Sequence, residues 1–192
     1  MIAIVKYNAG NIRSVQNAVS RLGFESRITD DPAELMSAEK VIFPGVGEAG
    51  SAMAYLRKSG LDRIIPEIKV PVLGICLGLQ LLCRHSEESD TECLGVFDAD
   101  VKLFPPVDKI PHMGWNDFIT VKGKLFKNVS KDDNVYYVHS YYAEISSQTT
   151  ATCEYIVPFS AAMNRNNFHA TQFHPEKSAL VGETILRNFL QL

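Results

Sequence analysis

The sequence predicts an α/β fold in three layers: a mostly parallel mixed sheet, helices on both faces, and antiparallel strands added in the second half. Three observations carry that expectation. Through Leu82, short apolar runs alternate with stretches of helical periodicity, and a βαβα order favours parallel strands covered on both sides. From Val96 onward the runs are strand-like and joined by turns rich in Pro, Gly, Asn and Asp, which suits antiparallel pairing. The chain has 192 residues, 46% of them hydrophobic, enough for one sizeable core and short for two, so residues 1–192 are expected to form a single domain.

The first strand is read from Met1 to Tyr7, apolar for too few residues to be a signal peptide or a membrane span, with Asn8 to Asn11 as a turn. Ile12, Val15, Val19 and Leu22 then recur at helical spacing, with Asn11 available as a cap and Gly23 as a stop. Phe24 to Thr29 reads as a second strand, Asp31-Pro32 opens a short helix through Met36, and Val41-Ile42-Phe43 is a third, buried strand. Ser51 to Ser59 is helical and Gly60 ends it, after which Val70 to Gly74 is again an apolar strand followed by a run of helical length. Arg84 to Leu94 is a polar connection containing Glu87, Glu88 and Asp90. Strand-like runs follow at Val96–Phe104, Trp115–Val121, Val135–Ile145, Ala151–Val157, Ala161–Met163 and Phe168–Phe173. Ser178 to Leu192 closes the sequence as a helix, with Leu180, Ile185, Leu186 and Phe189 available to pack.

Composition narrows the function. A net charge of -3, with charged residues at 21%, argues against an electrostatic role on nucleic acid, and no segment is long and apolar enough for a membrane. A small, uncharged or zwitterionic substrate fits better. Cys76, Cys83, Cys93 and Cys153 form no C-x-x-C pair and sit among apolar neighbours, so they are read as reduced thiols in a cytoplasmic protein. His and Cys do not cluster at ligand spacing, so no metal and no organic cofactor is expected.

The chemistry centres on Gly74-Ile75-Cys76-Leu77-Gly78, where a strand meets a helix at a cysteine flanked by glycines two residues away on either side. This is the pattern of a nucleophile elbow, whose strained central residue crowds its neighbours and whose following helix aims amide groups at the nucleophile. A free cysteine is often only a small buried hydrophobe, so the elbow needs a base to mean anything. Of five histidines, His174 stands at the end of a predicted strand with Glu176 two residues on, and extended backbone would project both to one side. Cys76, His174 and Glu176 then supply nucleophile, base and orienting carboxylate. Pro44-Gly45-Val46-Gly47 follows the third strand directly and, like the elbow, lies at the strands' carboxyl ends, where ligands of such sheets bind; it is a candidate oxyanion loop rather than a plain connection.

In order and spacing, Pro44-Gly45-Val46-Gly47, Gly74 to Gln80 and His174-Pro175-Glu176 resemble the class I (triad) glutamine amidotransferase domains, and the resemblance covers essentially the whole chain. It implies a flavodoxin-like sheet and hydrolysis of L-glutamine through a Cys76 thioester, with His174 as acid and base and Glu176 orienting it. Oxyanion stabilisation would come from the amide of Leu77 and one in the loop at Val46 or Gly47. Substrate contacts carried over are Gly45, Gln80, Ser140 and Tyr141, with Glu88 a weaker candidate for the substrate ammonium. Within the family, Tyr7 to Val15, His112-Met113-Gly114-Trp115-Asn116, Tyr137 to Tyr142 and Gln172 to Ser178 are similar to glutaminase subunits of histidine biosynthesis that pass ammonia to a (β/α)8-barrel cyclase in a heterodimer. That similarity implies a partner interface near Asn11, Trp115, Tyr136 and Lys177.

Three other readings remain open at this level. The chain could serve another synthase, such as one making anthranilate, with the chemistry at Cys76 unchanged. It could be a non-catalytic regulatory module, against which the intact triad argues. It could also be a stand-alone cysteine amidase or peptidase, for which His85 is the nearby histidine but lacks an obvious orienting acid.

Overall fold

Side chains of a strand alternate between its two faces, and covering both faces of the first strands generates this fold. In the computed structural model, which describes residues 1–192, the first half runs β1 (Ile2–Val5), α1 (Ile12–Arg21), β2 (Ser26–Thr29), α2 (Pro32–Ser37), β3 (Lys40–Phe43), α3 (Ala49–Ser59), α4 (Leu61–Ile64), β4 (Val72–Ile75) and α5 (Leu77–Leu82). Ala3, Val5, Val41, Phe43 and Val72 pack on one side with Met53, Leu56 and Leu61. Ile2, Ile4, Ile42, Leu73 and Ile75 pack on the other with Val15, Val19, Ile185, Leu186 and Phe189. Two apolar cores thus sandwich one sheet.

The helix ends follow from local chemistry, with two corrections. Asp31 caps α2 by accepting from the amides of Ala33 and Glu34. Helix α3 starts two residues before the expected Ser51, because the Glu48 carboxylate accepts from the amides of Gly50 and Ser51. Asn11 does not cap α1 with its side chain, which is engaged elsewhere.

The second half comprises β5 (His85–Ser86), β6 (Thr91–Glu92), β7 (Asp100–Leu103), β8 (His112–Asn116), β9 (Thr120–Val121), β10 (Val135–His139), β11 (Tyr141–Ala143), β12 (Thr149–Tyr155), β13 (Val157–Arg165), β14 (Phe168–Thr171) and α6 (Ala179–Leu190). The main sheet has the order β2-β1-β3-β4-β14-β13-β12-β9. Strands from β2 to β14 are parallel, and β13, β12 and β9 extend the sheet antiparallel, as the change of character after the first half predicts. Pairing of β14 with β4 sets Thr171 opposite Ile75, so a residue late in the chain ends beside the elbow.

Other strands leave the main sheet. The run Val135–Ile145, expected as one strand, divides at Ser140: β10 pairs with β8 as a separate two-stranded sheet, while β11 joins β7, β5 and β6. The Ser140 carbonyl accepts from the Phe104 amide where the chain changes partner. Leu180, expected to pack, is 78% exposed. At about 100° per residue it falls on the side of α6 opposite Ile185, Leu186 and Phe189, which take the core face. No helix is long and apolar enough to cross a membrane.

Candidate active site

The elbow is built as its glycines require. Cys76 joins β4 to α5 with φ 53 and ψ -106, a conformation a non-glycine residue holds only when its surroundings enforce it. A β-carbon at Gly78 would overlap the Phe43 carbonyl, so that position admits only glycine, and one at Gly74 would crowd the Gly78 carbonyl at 3.0 Å. The Cys76 amide donates to the Thr171 carbonyl at 2.7 Å, tying the turn to β14. Helix α5 has six residues, shorter than the apolar run predicts, and every one of them is buried.

His174 follows β14 in extended conformation, its amide donating to Tyr136 O at 2.9 Å. Its Nδ1 lies 2.8 Å from Glu176 Oε1, and both side chains are fully buried. The expected extended geometry of residues 174 to 176 is not what joins them: Pro175–Lys177 is a one-turn 3-10 helix, entered by proline, which has no amide to lose there. Glu176 Oε1 also accepts from Asn11 Nδ2 at 3.1 Å. Burial opposes ionisation of Glu176, but the hydrogen bonds from His174 and Asn11 and the imidazole's charge outweigh it and hold the carboxyl below its ordinary range. For His174, burial disfavours the imidazolium, yet a Cys76 thiolate and Glu176 together raise its pKa. With Nδ1 held by Glu176, the buried Nε2, which has no hydrogen-bond partner, is left to exchange a proton with the sulfur.

A cleft of about 490 Å³ opens over Cys76 and is lined by Val46, Gly47, Leu77, Gln80, Glu88, Ser140, Tyr141 and Lys177, together with Pro111, Val138 and His139. Gln80 Nε2 donates to Tyr141 O at 2.8 Å and to Gln172 Oε1 at 3.1 Å, so its oxygen is the atom left for a ligand. Glu88 Oε2 accepts from the Ala49 amide at 2.8 Å, and burial raises its pKa. Gly45 is not in the lining: its carbonyl accepts the Leu77 amide at 3.3 Å. The donor expected to stabilise an oxyanion is therefore already engaged. The Tyr7 hydroxyl pins the same loop by donating to Pro44 O at 2.6 Å.

A thiol at an elbow and an imidazole held by a carboxylate are the nucleophile and base that acyl transfer through a thioester requires. The whole chain can be set against known proteins on that basis. Residues 4–192 match the class I glutamine amidotransferase family. Over 194 aligned residues the chain is 57% identical to imidazole glycerol phosphate synthase subunit HisH of Bacteroides fragilis strain YCH46, spanning 100% of this chain and 99% of that protein. The chain belongs to the HisH family of class I glutamine amidotransferases. Other HisH subunits are 44% identical in Methanothermobacter thermautotrophicus and 39% in Vibrio parahaemolyticus, each over 100% of this chain and 98% of the relative. Among solved structures, one described as a glutamine amidotransferase superposes with a TM-score of 0.77 at 19% identity, covering 100% of this chain and 98% of that one. The PurLQS structure from Thermotoga maritima gives 0.73 at 20%, covering 99% and 97%. At such identities these two structures speak for the fold alone.

Against HisH membership, the remaining sequence expectations sort as follows. Trp115 is 55% exposed and meets Tyr136 edge-on at 6.0 Å between centroids, and Lys177 Nζ stands 6.0 Å from the Tyr136 ring, so these three share one face, of which Lys177 also lines the cleft. Asn11, expected with them, is buried and serves Glu176 instead. His85 does have a carboxylate, Asp90 Oδ1 at 2.8 Å from Nε2, but it lies outside the cleft lining. The sequence alone assigns no site role to Tyr7, Pro111, Val138 or Gln172, although Tyr7, Val138 and Gln172 lie in the segments that carry the resemblance.

Proposed function

We propose that this chain is the glutaminase subunit of an imidazole glycerol phosphate synthase, residues 1–192 acting as one amidotransferase domain. The observation that carries the reading is the Cys76–His174–Glu176 array at the foot of the cleft, in a HisH-family chain. Cys76, as thiolate, attacks the side-chain amide carbon of L-glutamine, and the Leu77 amide with one at Val46 or Gly47 would receive the developing oxyanion. His174 gives the proton it took from sulfur to the departing ammonia. A water molecule then attacks the γ-glutamyl thioester with His174 as base, and glutamate leaves. Glu176 holds the imidazole tautomer through both steps, and Asn11 holds Glu176. Gln80, Ser140 and Tyr141 contact the amino-acid end of the substrate, with Glu88 near its ammonium.

Ammonia released into water becomes mostly ammonium and ceases to be a nucleophile, so the mouth of the cleft should close on an acceptor. That acceptor is a cyclase subunit of (β/α)8-barrel form, working with this chain in the cytoplasm, docked on the face of Trp115, Tyr136 and Lys177 and producing imidazole glycerol phosphate with an aminoimidazole carboxamide ribotide. Because the Leu77 amide is bonded to Gly45, the free chain should hydrolyse glutamine slowly until docking turns that loop. The test is glutamate release by the chain alone, with cyclase, and with cyclase plus its nucleotide ligand. The expected result is a rise of roughly a hundredfold or more on full assembly, the scale of one oxyanion donor. Full activity of the isolated chain, unaffected by the cyclase, would favour the stand-alone amidase.

A further inference from the structure

Two residues before the catalytic imidazole, Gln172 is wholly buried and its side chain touches the reacting atom. Its Nε2 stands 3.7 Å from Cys76 Sγ in hydrogen-bonding geometry, and its Oε1 accepts from Gln80 Nε2 at 3.1 Å. The orientation is determined by the partners: Gln80 presents a donor, so the Gln172 oxygen faces Gln80 and its amide nitrogen faces sulfur. Main-chain contacts fix the position, since the Gln172 amide donates to Ala161 O at 2.8 Å and the β14–β4 register sets the preceding Thr171 against Ile75.

We propose that Gln172 is a further catalytic residue, a buried amide donor that stabilises the Cys76 thiolate and links it to the glutamine-holding Gln80. The alternative neighbour of the sulfur acts in the opposite sense. Val138 O, at 3.9 Å, accepts from the thiol and offers nothing to a thiolate except repulsion between like partial charges. When the proton passes to His174, the sulfur loses the Val138 contact and keeps the Gln172 donor, whose strength grows as the acceptor becomes charged. At 0% exposure no water replaces that donor. The proposal rests on Cys76 being the glutaminase nucleophile.

The decisive variant is Gln172→Glu, which keeps the shape and the acceptor for Gln80 but turns the donor facing sulfur into a carboxylate. Gln172→Leu removes both contacts and is the second variant. The readout is the rate of Cys76 alkylation by iodoacetamide against pH, followed by mass spectrometry of the Cys76 peptide, on chains whose thermal unfolding and circular dichroism match wild type. The midpoint should move up by roughly one to two pH units in Gln172→Leu and further in Gln172→Glu, and kcat with cyclase and nucleotide should fall roughly ten- to a hundredfold, the scale of a hydrogen bond to a charged group. An unmoved alkylation midpoint in a folded Gln172→Glu overturns the proposal. If KM for glutamine rises while that midpoint stays, Gln172 serves only Gln80, which also overturns it. If wild type with cyclase releases no glutamate, the glutaminase reading fails instead, and the alkylation profiles still report whether Gln172 touches the thiolate.

Discussion

The two sides of Cys76 are built to different degrees. On the imidazole side, His174 is held at Nδ1 by Glu176, Glu176 is held by Asn11, and the Ser178 hydroxyl donates to His174 O at 2.6 Å. On the oxyanion side, the Leu77 amide is bonded to the Gly45 carbonyl, and Val46 lies between that glycine and Gly47, which has φ 121. Side chains buried behind a sheet are positioned by packing, whose alternatives leave polar groups unpaired and cost about 1–3 kcal/mol each. Pro44 is pinned by Tyr7 and Gly45 is buried, but the Val46 and Gly47 amides just beyond them make no hydrogen bond and Gly47 is exposed, so the loop is pinned ahead of these amides and not at them. In the proposed reading the chain arrives with its proton-transfer groups assembled and its charge-stabilising amide withheld, which would suit an enzyme whose product is useful only beside an acceptor.

Several measurements can break or sharpen that contrast. Cys76→Ala should abolish glutamate release by the assembled complex, a loss of roughly 10^4-fold or more, with the fold intact by circular dichroism. Comparable hydrolysis in that variant would remove both sides' purpose at once. On the assembled side, His174→Ala should approach the same loss, while Glu176→Gln should cost roughly ten- to a hundredfold less in kcat, because orientation is lost and the base remains. Equal losses would mean Glu176 does more than orient.

The exposed face should register in binding. Trp115→Ala should weaken cyclase affinity by roughly thirtyfold in calorimetry, and Lys177→Ala by less and in a salt-dependent way, with Cys76 alkylation of the free chain unchanged. A change in alkylation without one in affinity would move Trp115 into the site.

The smallest effect separates the histidines by sign. His139 is buried and its pKa is pushed down to about 3, chiefly by burial, so its contribution to stability is present above its ordinary 6.5 and is lost as pH falls towards that folded value. The pKa of His174 is raised despite burial, by Cys76 and Glu176, so its contribution is full below 6.5 and is lost as pH rises through the folded value. Urea midpoints at about pH 7.5 and 5.5 should therefore shift in opposite directions relative to wild type. On acidification His139→Gln gains about 1 kcal/mol and His174→Asn loses a similar amount. Shifts of the same sign would refute the assignment of opposite charge states.

What was legible in the sequence is what short-range geometry controls. The elbow follows from glycines two residues either side of Cys76, and α2 follows from the Asp31 carboxylate, within three residues of the amides it caps, whereas α3 starts two residues earlier than the sequence spacing predicts, because Glu48 caps it. The parallel half follows from alternation along single strands, so the fold class could be read without knowing which strands touch. His174 and Glu176 were legible together because they stand two positions apart, although a 3-10 turn and not a pleat brings them into contact. Tertiary structure alone decided what depends on distant neighbours. Asn11 meets Glu176 across 165 residues, Gln172 meets Cys76 across 96 because β14 is inserted beside β4, and the Gly45 carbonyl reaches Leu77 because β3 and β4 are adjacent. No local propensity encodes such contacts. They arise when burial of two apolar faces fixes the strand order, and the polar groups carried to the strand ends then pair with whatever that order sets beside them.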